Sequence, residues 1–396
     1  MMIKNKTNKK ICMVVYTNYS LDARVKREAE TLANESKFDV VVLIPKENLV
    51  AQTKMIDGIF VREMNIKKYK GQKRFEYIKS YIKFFWYSLI ACTKLFVQKK
   101  VDIVHVHNMP NFLVFAAIIP RFFGIKIILD IHDTMPETFL SKFKNDKRIF
   151  YKALCLEEKI CCAFVNRIIC VNHVQAEELI KRGIPSEKIF ISMNVPDHKR
   201  FPSHKIIDSN RADHNGFRMV YHGTIARRLG IDLSIHAVSR LVNEIPEIEF
   251  NIWGPGEFLN ECIETSRKLG IAEKIKFNGI VPFDDIKESL KGMDIGVIAN
   301  RRDAATELML PVKMLEYIAL GIPVVAPRTR CIKYYFSEDM VSFFDPEDVA
   351  SLADAILKIY KDKSLRIRQA EKAKIFLEKY GWEKHHKDLI KFYEQL

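Results

Sequence analysis

Short unbroken runs of β-branched and aliphatic residues recur along the chain. Between them, apolar positions return every three or four residues. Ile11–Tyr16, Val40–Ile44, Ile103–Val106, Ile127–Leu129 and Ile168–Val171 are runs of the first kind. They lack polar alternation, which predicts strands buried on both faces. Ala23–Asn34 and Val174–Arg182 carry the helical period. This alternation of runs predicts βαβ units around a parallel sheet. The rhythm breaks over residues 194–216, which are polar and rich in turn formers, and a linker is expected there. It restarts with Phe217–Tyr221, Glu249–Trp253, Lys274–Phe277, Ile295–Ile298, Pro323–Ala326 and Met340–Phe343. Two α/β domains are therefore expected, residues 1–197 and 217–381, joined by a linker at 198–216 and leaving a cleft between them. A last helix over Trp382–Leu396 has Leu389, Phe392, Tyr393 and Leu396 on its apolar face. On periodicity alone it fits either domain.

Length supports the two-domain reading, since 396 residues exceed one ordinary core. The longest apolar runs, Phe84–Cys92 and Phe112–Pro120, fall short of the ~20 residues of a membrane span. The basic N-terminus lacks a secretory pattern, so a cytoplasmic protein is expected. The eight cysteines form no CxxC pair and match no zinc spacing. A net charge of +15 implies an anionic partner. Nucleotide phosphates, anionic lipid and nucleic acid all remain open at this point.

In open parallel sheets ligands bind outside the carboxyl ends of the strands, so site chemistry is expected in the loops after each run. His222-Gly223-Thr224 leads into Arg227-Arg228-Leu229-Gly230. Free amides at a helix start and two guanidiniums can hold a diphosphate; two solvated arginines on a plain turn are the alternative. The Gly254 loop and Gly279-Ile280-Val281-Pro282 also follow strands, as backbone approaches to a ligand or as tight turns. In Glu307–Pro327, Pro311 suits a helix start and Gly321 with Pro323 a helix end. Val312, Leu315 and Ala319 are expected on its core face. Lys313 and Glu316 lie on another side, either meeting a nucleotide or forming a surface pair of ~0.2–0.5 kcal/mol. In the first half, His105-Val106-His107-Asn108 and Asp130-Ile131-His132-Asp133 end neighbouring strands. The loop Thr17–Val25 offers Asp22, a natural helix cap, and Arg24, free to meet an anionic acceptor. Residues 67–100 hold ten Lys or Arg against Glu76 alone. Ile78, Ile82, Phe85 and Leu89 are expected to face the core. Lys67, Lys68, Lys70, Lys73, Arg74, Lys79, Lys83 and Tyr87 then form a basic outer face suited to anionic lipid, or simply solvated.

These motifs together resemble the retaining, nucleotide-sugar-dependent glycosyltransferase family 4. The resemblance runs over nearly the whole chain. It includes Asp22-Ala23-Arg24-Val25, His132-Asp133 with Pro136-Glu137, Asn194-Val195-Pro196-Asp197, His222-Gly223-Thr224 with Gly230-Ile231-Asp232, and most specifically Pro311-Val312-Lys313-Met314-Leu315-Glu316-Tyr317. It implies a GT-B fold, two Rossmann-like domains with parallel sheets facing across a cleft, and a C-terminal helix that returns to the first domain. By the same resemblance, His132, Arg228 and Glu316 are the catalytic candidates, with His132 at the donor sugar and Glu316 on the donor ribose. Gly223, Thr224, Arg227, Gly254, Val281, Lys313 and Glu307 would bind the donor. Tyr19, Asp22, Arg24 and His107 would bind a saccharide or lipid-linked acceptor. The implied reaction is a hexosyl or N-acetylhexosaminyl transfer in bacterial surface polysaccharide assembly, with no essential metal and no other cofactor. An anionic membrane surface would be met through residues 67–100, at the inner face of the plasma membrane. Two departures stand out. The family's first paired glutamate falls on Leu308, with Glu307 one place away, and its phosphate-loop cations fall on Thr224 and Leu229, with Arg228 as the substitute.

Three other functions are compatible with parts of the pattern. A sugar-nucleotide 2-epimerase shares the fold but calls for a more acidic, histidine-rich cleft. A nucleic-acid binder would use the charge, yet no known reading motif organises it. A non-catalytic basic binding protein would keep the fold without turnover.

Overall fold

The structure is a computed structural model that describes residues 8–35, 37–47, 50–69, 71, 74–142, 148–196, 201, 216–282 and 285–396. Lys70, Lys73, the side chain of Arg74, Asp197 and nearly all of the expected linker lie outside the described residues. The chain divides into two compact units, one comprising Met1–Asn194 with His385–Leu396 and the other Val195–Lys384.

The first unit is an eight-stranded sheet of β1 (Lys9–Val14), β2 (Phe38–Lys46), β3 (Thr53–Ile56), β4 (Ile59–Lys67), β5 (Ile103–His107), β6 (Lys126–Ile131), β7 (Arg167–Cys170) and β8 (Ile189–Ile191). Its order is β3-β4-β2-β1-β5-β6-β7-β8. The helices are α1 (Ala23–Ala33), α2 (Arg74–Val97), α3 (Ile118–Phe122), α4 (Met135–Lys142), α5 (Arg148–Phe164) and α6 (His173–Lys181). Val14, Val104, Val106, Leu129 and Ile131 are fully buried, each side chain contributing about 1.5–3 kcal/mol relative to exposure. All strand pairs are parallel except β3 with β4. That antiparallel edge corrects the expectation of an all-parallel sheet. It closes on Asp57-Gly58, both at positive φ (50° and 80°), as a two-residue hairpin turn requires.

Helix α2 also departs from expectation. Ile78 and Ile82, assigned to the core stripe, are 54% and 46% exposed. Ser80, Phe84, Ser88, Ala91, Cys92 and Leu95 face inward instead. Small residues let the helix lie close to its neighbours, and the larger aliphatic stripe is left outside.

The second unit is a six-stranded parallel sheet of β9 (Phe217–His222), β10 (Ile248–Trp253), β11 (Ile275–Phe277), β12 (Ile295–Val297), β13 (Val324–Pro327) and β14 (Ser342–Phe344), ordered β11-β10-β9-β12-β13-β14. Its helices are α7 (Ile231–Leu241), α8 (Leu259–Lys268), α9 (Ile286–Ser289), α10 (Val312–Ala319), α11 (Arg330–Tyr335), α12 (Val349–Lys361) and α13 (Lys363–Tyr380). The last helix, α14 (Trp382–Glu394), belongs to the first unit from His385 onward. There the Tyr393 hydroxyl lies 2.5 Å from His105 Nδ1, and Phe392 stacks on Phe190 at 4.5 Å.

Strand order reverses at β1/β5 in one unit and at β9/β12 in the other. These are the topological switch points where doubly wound sheets open a crevice at their carboxyl ends.

Candidate functional site

In the second unit, β9 ends at His222 beside that switch point. The loops after β9, β10 and β11 are joined by backbone bonds: Gly223 N–H donates to the Trp253 carbonyl at 2.9 Å, and Gly254 N–H to the Gly279 carbonyl at 2.7 Å. Glycine is required at 254, where φ is +129° and an added Cβ would lie 2.0 Å from the Gly223 oxygen. The Arg227–Leu229 turn follows. Arg301, held by both oxygens of Asp232 at 2.9 and 2.6 Å, donates its backbone N–H to the Arg228 carbonyl at 2.9 Å and so fixes the turn.

Helix α10 is buried nearly all round, from Met314 through Ala319, rather than on the single face expected. Glu316 is only 7% exposed and does not pair with Lys313. Its Oε2 lies 2.6 Å from His222 Nε2. The Tyr317 hydroxyl accepts the His222 backbone N–H at 3.1 Å and lies 3.0 Å from His222 Nδ1. Accepting that hydrogen bond on oxygen, the hydroxyl is free to donate its O–H to Nδ1. Nε2–H is then the donor to Glu316, and the chain closes without a charged imidazole. The Tyr317 ring reaches His222 because β12 carries Gly296, where a Cβ would sit 2.2 Å from the ring.

Lys313 Nζ sits 3.8 Å from the centre of the Tyr221 ring and against Gly223. Burial pushes its amine down to about 7, with Glu316 opposing the shift and Arg228 adding to it. Among the described residues neither Lys313 nor Arg228 has a carboxylate ion-pair partner. Thr224 and Arg227 are exposed beside them, and Val281 is half-buried on the loop after β11. Glu307 is otherwise employed: its oxygens accept from Arg302 Nε at 2.7 Å and from the Arg330 backbone N–H at the start of α11 at 2.6 Å.

In the first unit the expected acceptor residues turn inward. Tyr19 is buried with its hydroxyl unpartnered. Asp22 caps α1 by accepting from Val25 N–H at 3.2 Å. Arg24, expected to be free, is 3% exposed and bonds both oxygens of Asp130 at 3.0 and 2.9 Å, with Glu28 at 3.1 Å. The reason is Asp130, a fully buried charge that must be neutralised. His107 is also fully buried, with Nδ1 3.2 Å from Asp130 Oδ2. His132 reaches the surface, its side chain 23% exposed, with Nε2 3.2 Å from Asp130 Oδ2 and, among the described residues, Nδ1 left without a partner. Burial would raise the Asp130 carboxyl, but Arg24 and His132 hold it well below the usual range. Burial opposes charge on His132 as well, yet Asp130 outweighs it and raises the imidazole.

Glu28, His105, His107 and Asp130 offer donor atoms within 4.8 Å of one another, a set that can ligate an ion. Arg24 already bridges both carboxylates, so the cluster is accounted for as a hydrogen-bonded network. Sequence reasoning quoted His222, Tyr317 and Asp130 without assigning them roles. A charged residue in the buried run Ile127–Ile131 was the available signal for Asp130.

Together these layers define a GT-B fold. Sucrose-phosphate synthase from Thermosynechococcus elongatus matches with a TM-score of 0.79 at 14% identity, over 98% of this chain and 99% of that one. Anabaena HepE, solved with UDP and glucose, matches at 0.73 and 14% identity, over 98% and 100%. The family described as Glycosyltransferase Family 4 matches residues 23–200, and Glycosyl transferases group 1 matches residues 216–362. The chain belongs to glycosyltransferase family 4. By sequence it is similar to the gpi3 subunit of phosphatidylinositol N-acetylglucosaminyltransferase from Schizosaccharomyces pombe, at 20% identity over 68% of this chain and 56% of that protein. It is also similar to the amylovoran biosynthesis glycosyltransferase AmsK of Erwinia amylovora, at 25% over 52% and 48%. The chain spans about half the length of these relatives.

Proposed function

We propose that the protein is a retaining glycosyltransferase that moves a hexosyl or N-acetylhexosaminyl group from a nucleotide-diphosphate donor to a saccharide or lipid-linked acceptor. The observation that carries this is the pair of cations, Lys313 and Arg228, which among the described residues have no carboxylate ion-pair partner, at the β9 switch point beside the clamped Glu316. A diphosphate supplies the missing negative charge. Glu316, held by His222, takes the ribose hydroxyls on its other oxygen. As the anomeric C–O bond breaks, its electron pair passes to the leaving diphosphate, and fixed cations stabilise that developing charge. The acceptor hydroxyl attacks the same face and gives its proton to the departing oxygen. His132 Nδ1 is assigned to hydroxyls of the transferred sugar. Retention is supported by the resemblance of the Pro311–Tyr317 helix, and surface polysaccharide assembly by the similarity to AmsK. The exposed apolar stripe of α2 beside Lys79 and Lys83 supports attachment to an anionic membrane at its cytoplasmic face. No helix among the described residues is long and apolar enough to cross one.

Thermal-shift titration with UDP-, GDP-, ADP- and CMP-sugars tests the reading, followed by NMR of the product anomer formed with and without EDTA. One donor series should stabilise the fold, and turnover should survive chelation with retention. If none of the nucleotides stabilises the protein, the transferase reading fails.

A further inference from the structure

A second concentration of unbalanced charge lies in the first unit, away from Asp130. A cavity of about 610 Å³ opens at the carboxyl ends of β2 and β4, against α2. Lys46, Lys67, Lys68, Lys79 and Lys83 line it, with Glu76 the only acid among the described residues. Lys46 and Lys67 pair across the β2/β4 ladder just past a register shift at Pro45/Lys46, which brings two cations to the same rim, and Lys46 Nζ donates to Asn65 Oδ1 at 2.7 Å. Among the described residues Lys67, Lys79 and Lys83 have no ion-pair partner, and Glu76 pairs with none of the lysines. The cavity wall is firm, because the Tyr16 hydroxyl is 2.5 Å from Ser80 Oγ and accepts the Tyr69 backbone N–H at 2.9 Å.

Four of the five cavity-lining positions of α2, all but Ser80, have an exposed apolar residue just before them. Glu76, Lys79, Lys83 and Tyr87 line the cavity, while Phe75, Ile78, Ile82 and Trp86 form the adjoining outer stripe, Trp86 being 57% exposed. Ile90 and Val97 extend that stripe along the helix.

We propose that this cavity and stripe bind the acceptor as a diphosphate-bearing lipid, the head among the lysines and the chain along Phe75, Ile78, Ile82 and Trp86. Compact lysine charges suit phosphate, which needs no planar fork. A diphosphate ester also matches the lysine excess better than a single carboxylate would. The cavity is large enough for a diphosphate and an attached sugar. The apolar stripe selects a lipid-borne source over a free one. This inference rests on the transferase reading only for calling the ligand an acceptor.

The test titrates the full chain calorimetrically with farnesyl diphosphate below its aggregation limit, and separately with inorganic diphosphate and farnesol. Farnesyl diphosphate should bind about tenfold or more tightly than either. A Lys79→Ala/Lys83→Ala variant should weaken it by about tenfold or more, given the weight of two surface cations. Both lysines are exposed, so the variant should fold, and its UDP-sugar binding should be unchanged. Equal binding of inorganic and farnesyl diphosphate overturns the lipid source. Binding indifferent to the lysines, or lost in Arg228→Ala, overturns the site. Failure of wild-type protein to bind any nucleotide would instead strike the transferase reading, leaving the farnesyl diphosphate titration to decide the cavity.

Discussion

Raising the pH from about 7 to about 9 should loosen the protein's hold on a nucleotide-diphosphate sugar, and Lys313 should be the cause. Its amine, seated over Tyr221 and close enough to Arg228 to feel its charge, is pushed down to about 7 in the unliganded protein. A bound diphosphate favours the ammonium and returns it toward the ordinary lysine range near ~10.4. Binding then takes up a proton wherever the free amine is neutral. The protonated fraction falls from about one half at pH 7 to about 1% at pH 9, so affinity drops about fifty-fold, or about 2.3 kcal/mol. The diesterified diphosphate of a donor sugar does not titrate in this range, and guanidinium keeps its charge. Unliganded stability moves the opposite way. The unfolded chain holds a proton that folded Lys313 releases, so stability rises with pH from about 7 toward the ordinary lysine value. Calorimetric affinities across this range, paired with thermal melts, check both signs. Lys313→Gln should bind weakly and without pH dependence. A flat wild-type profile, or a slope that persists in Lys313→Gln, refutes the reasoning.

Arg228→Ala should lower turnover by about 10²–10³-fold, the loss seen when one preorganised transition-state donor is removed. Glu307→Ala should leave turnover much closer to wild type and cost stability instead, about 1–3 kcal/mol by denaturant titration, since its oxygens serve Arg302 and α11. His222→Phe should raise KM for the donor more than it lowers kcat, because Glu316 loses its 2.6 Å donor; the reverse split would make His222 a catalytic group instead. Gly254→Ala should destabilise by about 2 kcal/mol or more, against about 1 for Gly279→Ala, whose added Cβ meets open space at φ +74°.

The strands that the pattern revealed are those buried on both faces, such as β5 and β9, where uninterrupted Ile and Val leave little ambiguity. Strands β3 and β4 escaped because Lys54, Arg62 and Glu63 interrupt them at a sheet edge, although Asp57-Gly58 between them is a hairpin signal. Strand β8 is only three residues long and half-buried, too short to leave a pattern. For α2 the period was right and the face wrong. The helix carries two apolar stripes, and periodicity cannot say which one the sheet takes. Small residues at 80, 88, 91 and 92 decide it through close packing. The site divides along the same line. Lys313, Glu316 and Arg228 stand on motifs local in sequence, and it is the family resemblance that proposes them as donor contacts. The use of Arg24 by Asp130, and of Glu316 by His222, depends on strands brought together from far apart in sequence.

What distinguishes the two halves of the candidate machinery is where charge is left uncompensated. Around Asp130 the protein closes its own account: Arg24 meets both carboxylate oxygens and Glu28, and the histidines complete the shell. Breaking such a buried set by removing one partner leaves an unpaired charge, a loss of several kcal/mol, so these residues hold structure and orient His132. At the end of β9 the reverse holds. Arg228 raises the cost of charging Lys313, Glu316 offsets only part of it, and among the described residues no carboxylate forms an ion pair with either cation. Glu316 lies close enough to ease Lys313, yet its hydrogen bond is directed to His222. A protein that keeps two cations without an ion-pair partner on a rigid backbone gives up stability when empty and regains it when an anion arrives. The same preorganisation that makes the empty site unfavourable makes it act on a leaving diphosphate without reorganising first. Relieving Lys313 by neutral substitution should therefore raise the thermal stability of the unliganded protein at pH 6 while removing the stabilisation that nucleotide confers.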